Sequence, residues 1–174
     1  LCHVAEIPVE LARLRHEPDD GGLIGWVHLA PPHFVEHSDA LLALDIGGTN
    51  VRCGIVAFRR GKAADLSRAK VMRRRKWRHA DDEPSRTALV EGLVAMLADM
   101  VAWAHRHRIR LAPFVGIACP GLIREDGSIA RGAQNLPGNW SSSRFNLVES
   151  IREMAPEIGE HETVVVMHND AVVQ

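Results

Sequence analysis

The chain has 174 residues, a formal net charge of −1 at pH 7, and 46% hydrophobic against 25% charged residues. That is enough apolar material to bury a core, which excludes a disordered chain, and the charge balance gives no global pull toward nucleic acid or an anionic membrane. The three scattered cysteines, Cys2, Cys53 and Cys119, form no C-x-x-C pair, so neither a disulfide framework nor a zinc site is expected, and they fit a reducing cytoplasm. No uninterrupted run of about 18 apolar residues predicts a membrane span, and no basic flank followed by an apolar core marks a secretory signal.

Residues 1–39 read as an irregular N-terminal extension, broken by Pro8, Pro18, Pro31, Pro32 and the pair Gly21-Gly22 and carrying five histidines. Val9 to Arg15 predicts a short helix and Leu23 to Leu29 a short strand. The two periodic helices of a DNA-reading helix-turn-helix are not visible there. Residues 40–174 read as the main body. It opens on an apolar strand over 41–46 that runs through Asp45 into Gly47-Gly48-Thr49-Asn50, and a second strand over 51–58 makes the unit a β-hairpin. Paired glycines leave amides uncovered, and such amides hold phosphate oxygens, while Asp45 at the strand end suits a cation held through water. The alternative is a plain hairpin whose Asp and Thr only form the turn.

A third strand over 69–78 contains Arg73-Arg74-Arg75-Lys76-Trp77-Arg78. It reads as a charged edge strand rather than a nucleic-acid patch, given the overall charge balance. Asp81, Asp82, Glu83 and Pro84 then signal a helix N-terminus. Leu89, Leu93, Met96, Leu97, Met100 and Trp103 recur at three- and four-residue spacing, so the helix has one core-facing stripe. His105 and His107 point to different sides of it, against a joint metal role. Phe114 to Ala118 is a buried strand that ends in Cys119-Pro120-Gly121-Leu122. An extended piece over 128–131 follows the turn at 125–128. Asn135-Leu136-Pro137-Gly138-Asn139-Trp140 reads either as a surface loop anchored by Trp140 or as the wall of a sugar pocket. A helix is expected over 144–154, a strand over 163–167, then His168-Asn169-Asp170 and a helix start at Ala171.

Three strand ends therefore deliver polar or glycine-rich residues, and ligands of such sheets bind at strand termini. Phosphoryl transfer to an alcohol needs amides or cations around phosphates, a metal anchor, and a carboxylate to take the hydroxyl proton. The first turn offers the amides and the metal-side acid. Asp170 offers the base, Asn169 an orienting amide, and Gly121 a close backbone approach. Against this, Asp170 also reads as a helix N-cap and Pro120-Gly121 as a plain turn.

The four segments Asp45–Asn50, Gly116–Leu122, Asn135–Trp140 and Asn169–Ala171 resemble, in order and spacing, the ROK family (repressors, open reading frames and sugar kinases), over residues 41–174. The resemblance implies an α/β fold, the actin/Hsp70/hexokinase-like (ribonuclease H-like) ATPase lobe with a mixed sheet flanked by helices. It implies ATP- and Mg2+-dependent phosphorylation of a hexose or amino-hexose. Asp170 would be the general base, and Asn169, Gly121 and Asn139 would face the sugar. Asp45, Gly47, Gly48, Thr49 and Asn50 would face phosphate and Mg2+. Family members are longer, and their second lobe carries the other phosphate loop, the adenosine site, a Glu-x-x-His motif and often a Cys-rich zinc loop. The chain is therefore expected to be the N-terminal lobe alone and inactive by itself, with the C-terminal lobe as its natural partner and a homo-oligomer as a further partner. The same resemblance leaves two other readings: a sugar-responsive transcriptional regulator, and a non-catalytic remnant that binds sugar or a partner protein.

Overall fold

The computed structural model describes residues 16–173, so the helix expected over Val9–Arg15 lies outside the described residues. A 3-10 turn, Pro18–Asp20, leads into α1 (Gly21–Ile24), α2 (Trp26–Leu29) and α3 (Pro32–His37). The sheet begins with β1 (Ala40–Ile46), β2 (Val51–Ala57) and β3 (Lys70–Trp77), followed by α4 (Arg86–Arg106) and β4 (Leu111–Cys119). A hairpin of β5 (Leu122–Ile123) and β6 (Ile129–Arg131) precedes α5 (Leu147–Met154). A second hairpin, β7 (Glu157–Ile158) and β8 (His161–Glu162), precedes β9 (Val164–Asn169) and α6 (Asp170–Val173).

The main sheet has five strands in the order β3-β2-β1-β4-β9. β1, β2 and β3 run antiparallel in sequence, and β4 and β9 run parallel to β1. Every residue of β1 is buried, because the strand is central and both its faces are covered, which explains the continuous apolar run in its sequence. Strand alternation separates two cores. Leu42, Leu44, Ile46, Cys53, Ile55, Val115 and Ile117 share one with α4 and α5. Leu41, Ala43, Val56, Phe58, Phe114 and Ala118 share the other with Leu23, Trp26 and Val27.

That second core corrects the strand expected over Leu23–Leu29, which is helical on both sides of Gly25. The segment meets the face of a sheet, where no unpaired ladder invites another strand. Leu23, Trp26 and Val27 at three- and four-residue spacing put one helical side on that face. Trp26 is fully buried and lies over Gly116, where an added Cβ would stand 2.1 Å from the indole.

The start of α4 also departs from expectation. Asp81 belongs to a separate 3-10 turn, Glu83 has a φ of 43°, and Pro84 precedes the cap. Pro84 disfavours helical geometry at Glu83, so Ser85 is the first residue placed to cap, and its side chain accepts from the Ala88 amide at 3.2 Å. The apolar stripe from Leu89 to Met100 is buried as its spacing predicts. By length and composition α4 is apolar enough to cross a membrane; here its stripe packs on the sheet. α5 starts three residues later than expected because Asn146 caps it, accepting from the Val148 and Glu149 amides.

β3 is the edge strand, and its basic run is sorted by alternation. Arg73 and Arg75 reach Asp99 of α4 on one face, while Arg74 and Lys76 reach Asp20 and Asp19 on the other.

Candidate active site

Register brings the strand ends to a common rim. Asp45 lies beside Ala118 in the parallel β1–β4 ladder, Ala118 lies beside His168, and Cys119 beside Asn169. Asp170 follows immediately. Burial pushes the Cys119 thiol up to about 12, and the negative charges of Asp170 and Asp45 push it the same way. Asp45 in turn is raised above its ordinary value, chiefly by burial. Arg52 opposes that shift, and Asp170 and Asp19 add to it. Residues 45 and 170 therefore lie at the same end of the sheet, where the charge of Asp170 reaches Asp45.

The Gly47–Asn50 turn is built into this rim. The Gly47 amide donates to the Asn50 carbonyl at 2.9 Å, so it closes the turn rather than facing a ligand, against the phosphate contact expected of it. His79, buried in the rim, contacts the Gly47 carbonyl through Nε2 at 2.8 Å. The Asn135 loop packs on the other side, where an added Cβ on Gly48 would stand 2.6 Å from the Asn135 Cβ. Thr49 is exposed and Asn50 half-buried.

Asn169 ties two strand ends together. Its Nδ2 donates to the Gly121 carbonyl at 2.8 Å, and its Oδ1 accepts from the Ala171 amide at 3.0 Å. An Asn side-chain nitrogen carries two protons, so one remains for a ligand hydroxyl. Gly121 has a φ of +114°, and an added Cβ there would meet the Arg131 carbonyl at 2.6 Å. Both constraints require glycine. Asp170 is half-buried, and its Oδ1 accepts from the Ala171 amide at 3.0 Å. The expected N-cap role of Asp170 is corrected here: α6 begins at Asp170 itself, so Asn169 holds the cap position, its Oδ1 accepting from the Ala171 amide two residues on, as a cap side chain does.

Asn139 stands further out. Its side chain accepts from the Ser141 amide at 3.0 Å, and its carbonyl takes the Arg86 guanidinium. It lines a cavity of about 500 Å³ with Arg131, Gly132 and Trp140. Gly132 packs directly on the Gly121 backbone, so the cavity borders the Gly121 turn, but the structure does not bring Asn139 itself to the rim beside Asp45 and Asp170.

Arg52 was not singled out from the sequence. It lies directly opposite Asp45 in the β1–β2 ladder and donates to it at 3.1 Å, with its other terminal nitrogen on Asp19 at 2.8 Å. The hairpin itself carries the signal, since closing the turn over 47–50 sets residue 45 across from residue 52. His79 has no comparable signal. Among the described residues no group of three His, Cys, Asp or Glu is placed to hold a metal ion. With Arg52 already on Asp45, the rim fits a divalent cation only through water and a ligand's own phosphates, which is how Mg2+ commonly binds.

No family model and no curated protein matches the chain. Solved structures do. A protein from Cytophaga hutchinsonii assigned as a sugar kinase matches 76% of this chain and 36% of its own at 22% identity and a TM-score of 0.52. A ROK family glucokinase from Streptomyces griseus, solved with glucose and AMPPNP, matches 76% of this chain and 33% of its own at 20% identity and a TM-score of 0.52. A ROK family transcriptional regulator, homologous to the MLC protein of E. coli, matches 75% of this chain and 27% of its own at 15% identity and a TM-score of 0.52. The chain thus spans about a third of the length of the structures it matches. Its fold is that of one lobe of the ROK sugar kinases, an actin- and hexokinase-like α/β lobe with a mixed sheet between helices.

Proposed function

We propose that the chain forms the sugar- and phosphate-facing lobe of a cytoplasmic, ATP-dependent hexose or amino-hexose kinase, completed by a second lobe. The observation that carries this reading is the meeting of Asp45, the Gly47–Asn50 turn, Gly121 and Asp170 on one rim. Asp170 takes the proton from the attacking sugar hydroxyl. Asn169, fixed on the Gly121 carbonyl, donates its remaining N–H to a neighbouring hydroxyl and sets the sugar's orientation. Gly121 and the Asn139 cavity shape the sugar side. The amides of Gly48 and Thr49 face the transferred phosphate, with Asp45 and Asn50 behind them. ATP with Mg2+, when bound, supplies the phosphoryl group and neutralises the charge that develops on it.

In the two-lobe protein, Asp170→Asn keeps the shape but removes the base. Turnover is expected to fall by about 10²–10⁴-fold, while sugar affinity measured by calorimetry stays close to wild type. Unchanged turnover would make Asp170 no more than the first residue of α6. A sugar-responsive regulator is the second reading, favoured by the regulator that shares the fold at the same TM-score. Binding to duplex DNA with a steep salt dependence would select it.

A further inference from the structure

One face of the hairpin carries a row of cations that the proposed chemistry does not use. Arg52 pairs across the ladder with Lys76, and Gly54 with Arg74, so all three cations stand on the side covered by α1. The acidic turn Pro18–Asp20 lies on them. Asp19 meets Arg52 at 2.8 Å and Lys76 at 3.2 Å, and Asp20 meets Arg74. The row begins beside the Gly47–Asn50 turn, where Arg52 also holds Asp45. Without Asp19 and Asp20 it would set three positive charges against Asp45 alone.

The turn is built to peel. None of its three residues is buried, and each of its ion pairs has at least one side chain that keeps 35–46% of its exposure, where water and salt weaken such pairs. The anchor follows at once: Leu23 and Trp26 are fully buried. Between tip and anchor stand Gly21 and Gly22, a pair with wide backbone freedom. Gly22 also rests on Asp45, since an added Cβ would stand 2.8 Å from the carboxyl carbon. Tip position and the covering of Asp45 are therefore linked.

We propose that Pro18–Asp20 is an electrostatic latch filling a polyanion subsite formed by Arg52, Arg74 and Lys76, and that a chain of three or more phosphates displaces it. Two arginine forks and an ammonium suit phosphate oxygens. A phosphate chain brings enough charge to replace two carboxylates at three cations, which a single phosphate does not. The purpose assigned to the latch rests on the phosphate reading of the neighbouring turn; its test uses neither sugar nor turnover.

Calorimetry at low ionic strength, with tripolyphosphate, ATP and orthophosphate as separate probes, reads the latch on the 174-residue chain. The Asp19→Asn, Asp20→Asn double variant should bind tripolyphosphate about tenfold tighter than wild type. Adding Arg74→Gln and Lys76→Gln should abolish the gain. A matching gain for ATP assigns the subsite to a nucleotide's triphosphate, and a gain for tripolyphosphate alone assigns it to an inorganic chain. No gain for either overturns the proposal, as does a gain that survives removal of the two cations. Wild-type hydrogen exchange guards against a misfolded variant. The Asp20 and Gly21 amides, bonded to the Glu17 and Pro18 carbonyls, should exchange faster when tripolyphosphate is added, while Leu23–Leu29 does not change. Unchanged exchange at the turn refutes the latch. A failed latch beside an Asp170→Asn loss of turnover leaves the kinase reading standing, and the reverse pattern leaves the latch standing.

Discussion

Asp45 and Arg52 face each other across the hairpin, and burial and pairing pull the acid in opposite directions. Burial is the stronger and holds the Asp45 carboxyl above its ordinary value of 3.8. A raised carboxyl contributes stability that is full below 3.8 and is lost as pH rises through the native value, because the folded chain holds the proton more tightly than the unfolded one. Asp39 and Asp126 behave oppositely: Arg110 lowers the first and Ser128 the second, so their contributions disappear as pH falls. An Asp45→Asn variant isolates the first effect. Its urea-unfolding stability relative to wild type should move in the variant's favour as pH rises from about 4 to 7, and movement the other way would mean that Arg52 outweighs burial. Gly121 gives a second single-residue test. Ala at a φ of +114° with the Arg131 carbonyl 2.6 Å from its Cβ should cost about 1–3 kcal/mol from backbone strain alone, plus whatever shift the contact forces. Urea midpoints for Gly121→Ala within 0.5 kcal/mol of wild type, roughly the neutral range for surface changes, would contradict that geometry.

At the level of elements, the segment before β1 is part of the core. α1 and α2 place Leu23, Trp26 and Val27 on Leu41, Phe114 and Ala118, and Trp26 stacks on His168 at 5.6 Å, next to the rim. Trp26→Ala should therefore cost about 3–5 kcal/mol, the usual loss for emptying a buried aromatic site. A cost under about 1 kcal/mol, measured by urea unfolding, would mean that the segment is not docked in solution. Its helices were not legible because each is four residues long. That is too short to show a period, and Gly25 between them reads as a breaker. The elements that were legible have patterns longer than their own ends: the stripe of α4, the apolar runs of β1 and β4, and the hairpin turn. Their boundaries moved where a single cap decides them, as Ser85 does for α4 and Asn146 for α5. For the rim, Asp45 and Asp170 were readable as polar residues ending apolar strands, and strand register then fixed their proximity. Arg52 was recoverable from hairpin arithmetic. The contacts of His79 with the Gly47 carbonyl and of Asn135 with Gly48 depend on long-range packing that no local pattern encodes.

For the molecule as a whole, the rim as proposed would account for one side of a phosphoryl transfer. In the proposed function, Asp170, Asn169 and Gly121 are the residues assigned to the acceptor, and the turn at Gly47–Asn50 is assigned to the phosphate. Transfer also requires the donor's far end to be held in line and water to be excluded while charge develops. Among the described residues, nothing in the five-stranded sheet supplies a second wall over the rim, where Thr49 is exposed and Asp170 half-exposed. The structures that share this fold are about three times as long as the part matched. The 174-residue chain is therefore expected to give no sugar phosphate above background when incubated with hexoses or amino-hexoses and MgATP in a coupled assay. Joined to a second lobe it should turn over and become sensitive to Asp170→Asn. Sustained turnover by the 174 residues alone would mean that the rim holds both reactants unaided, and the division of labour between lobes inferred from it would have to be abandoned.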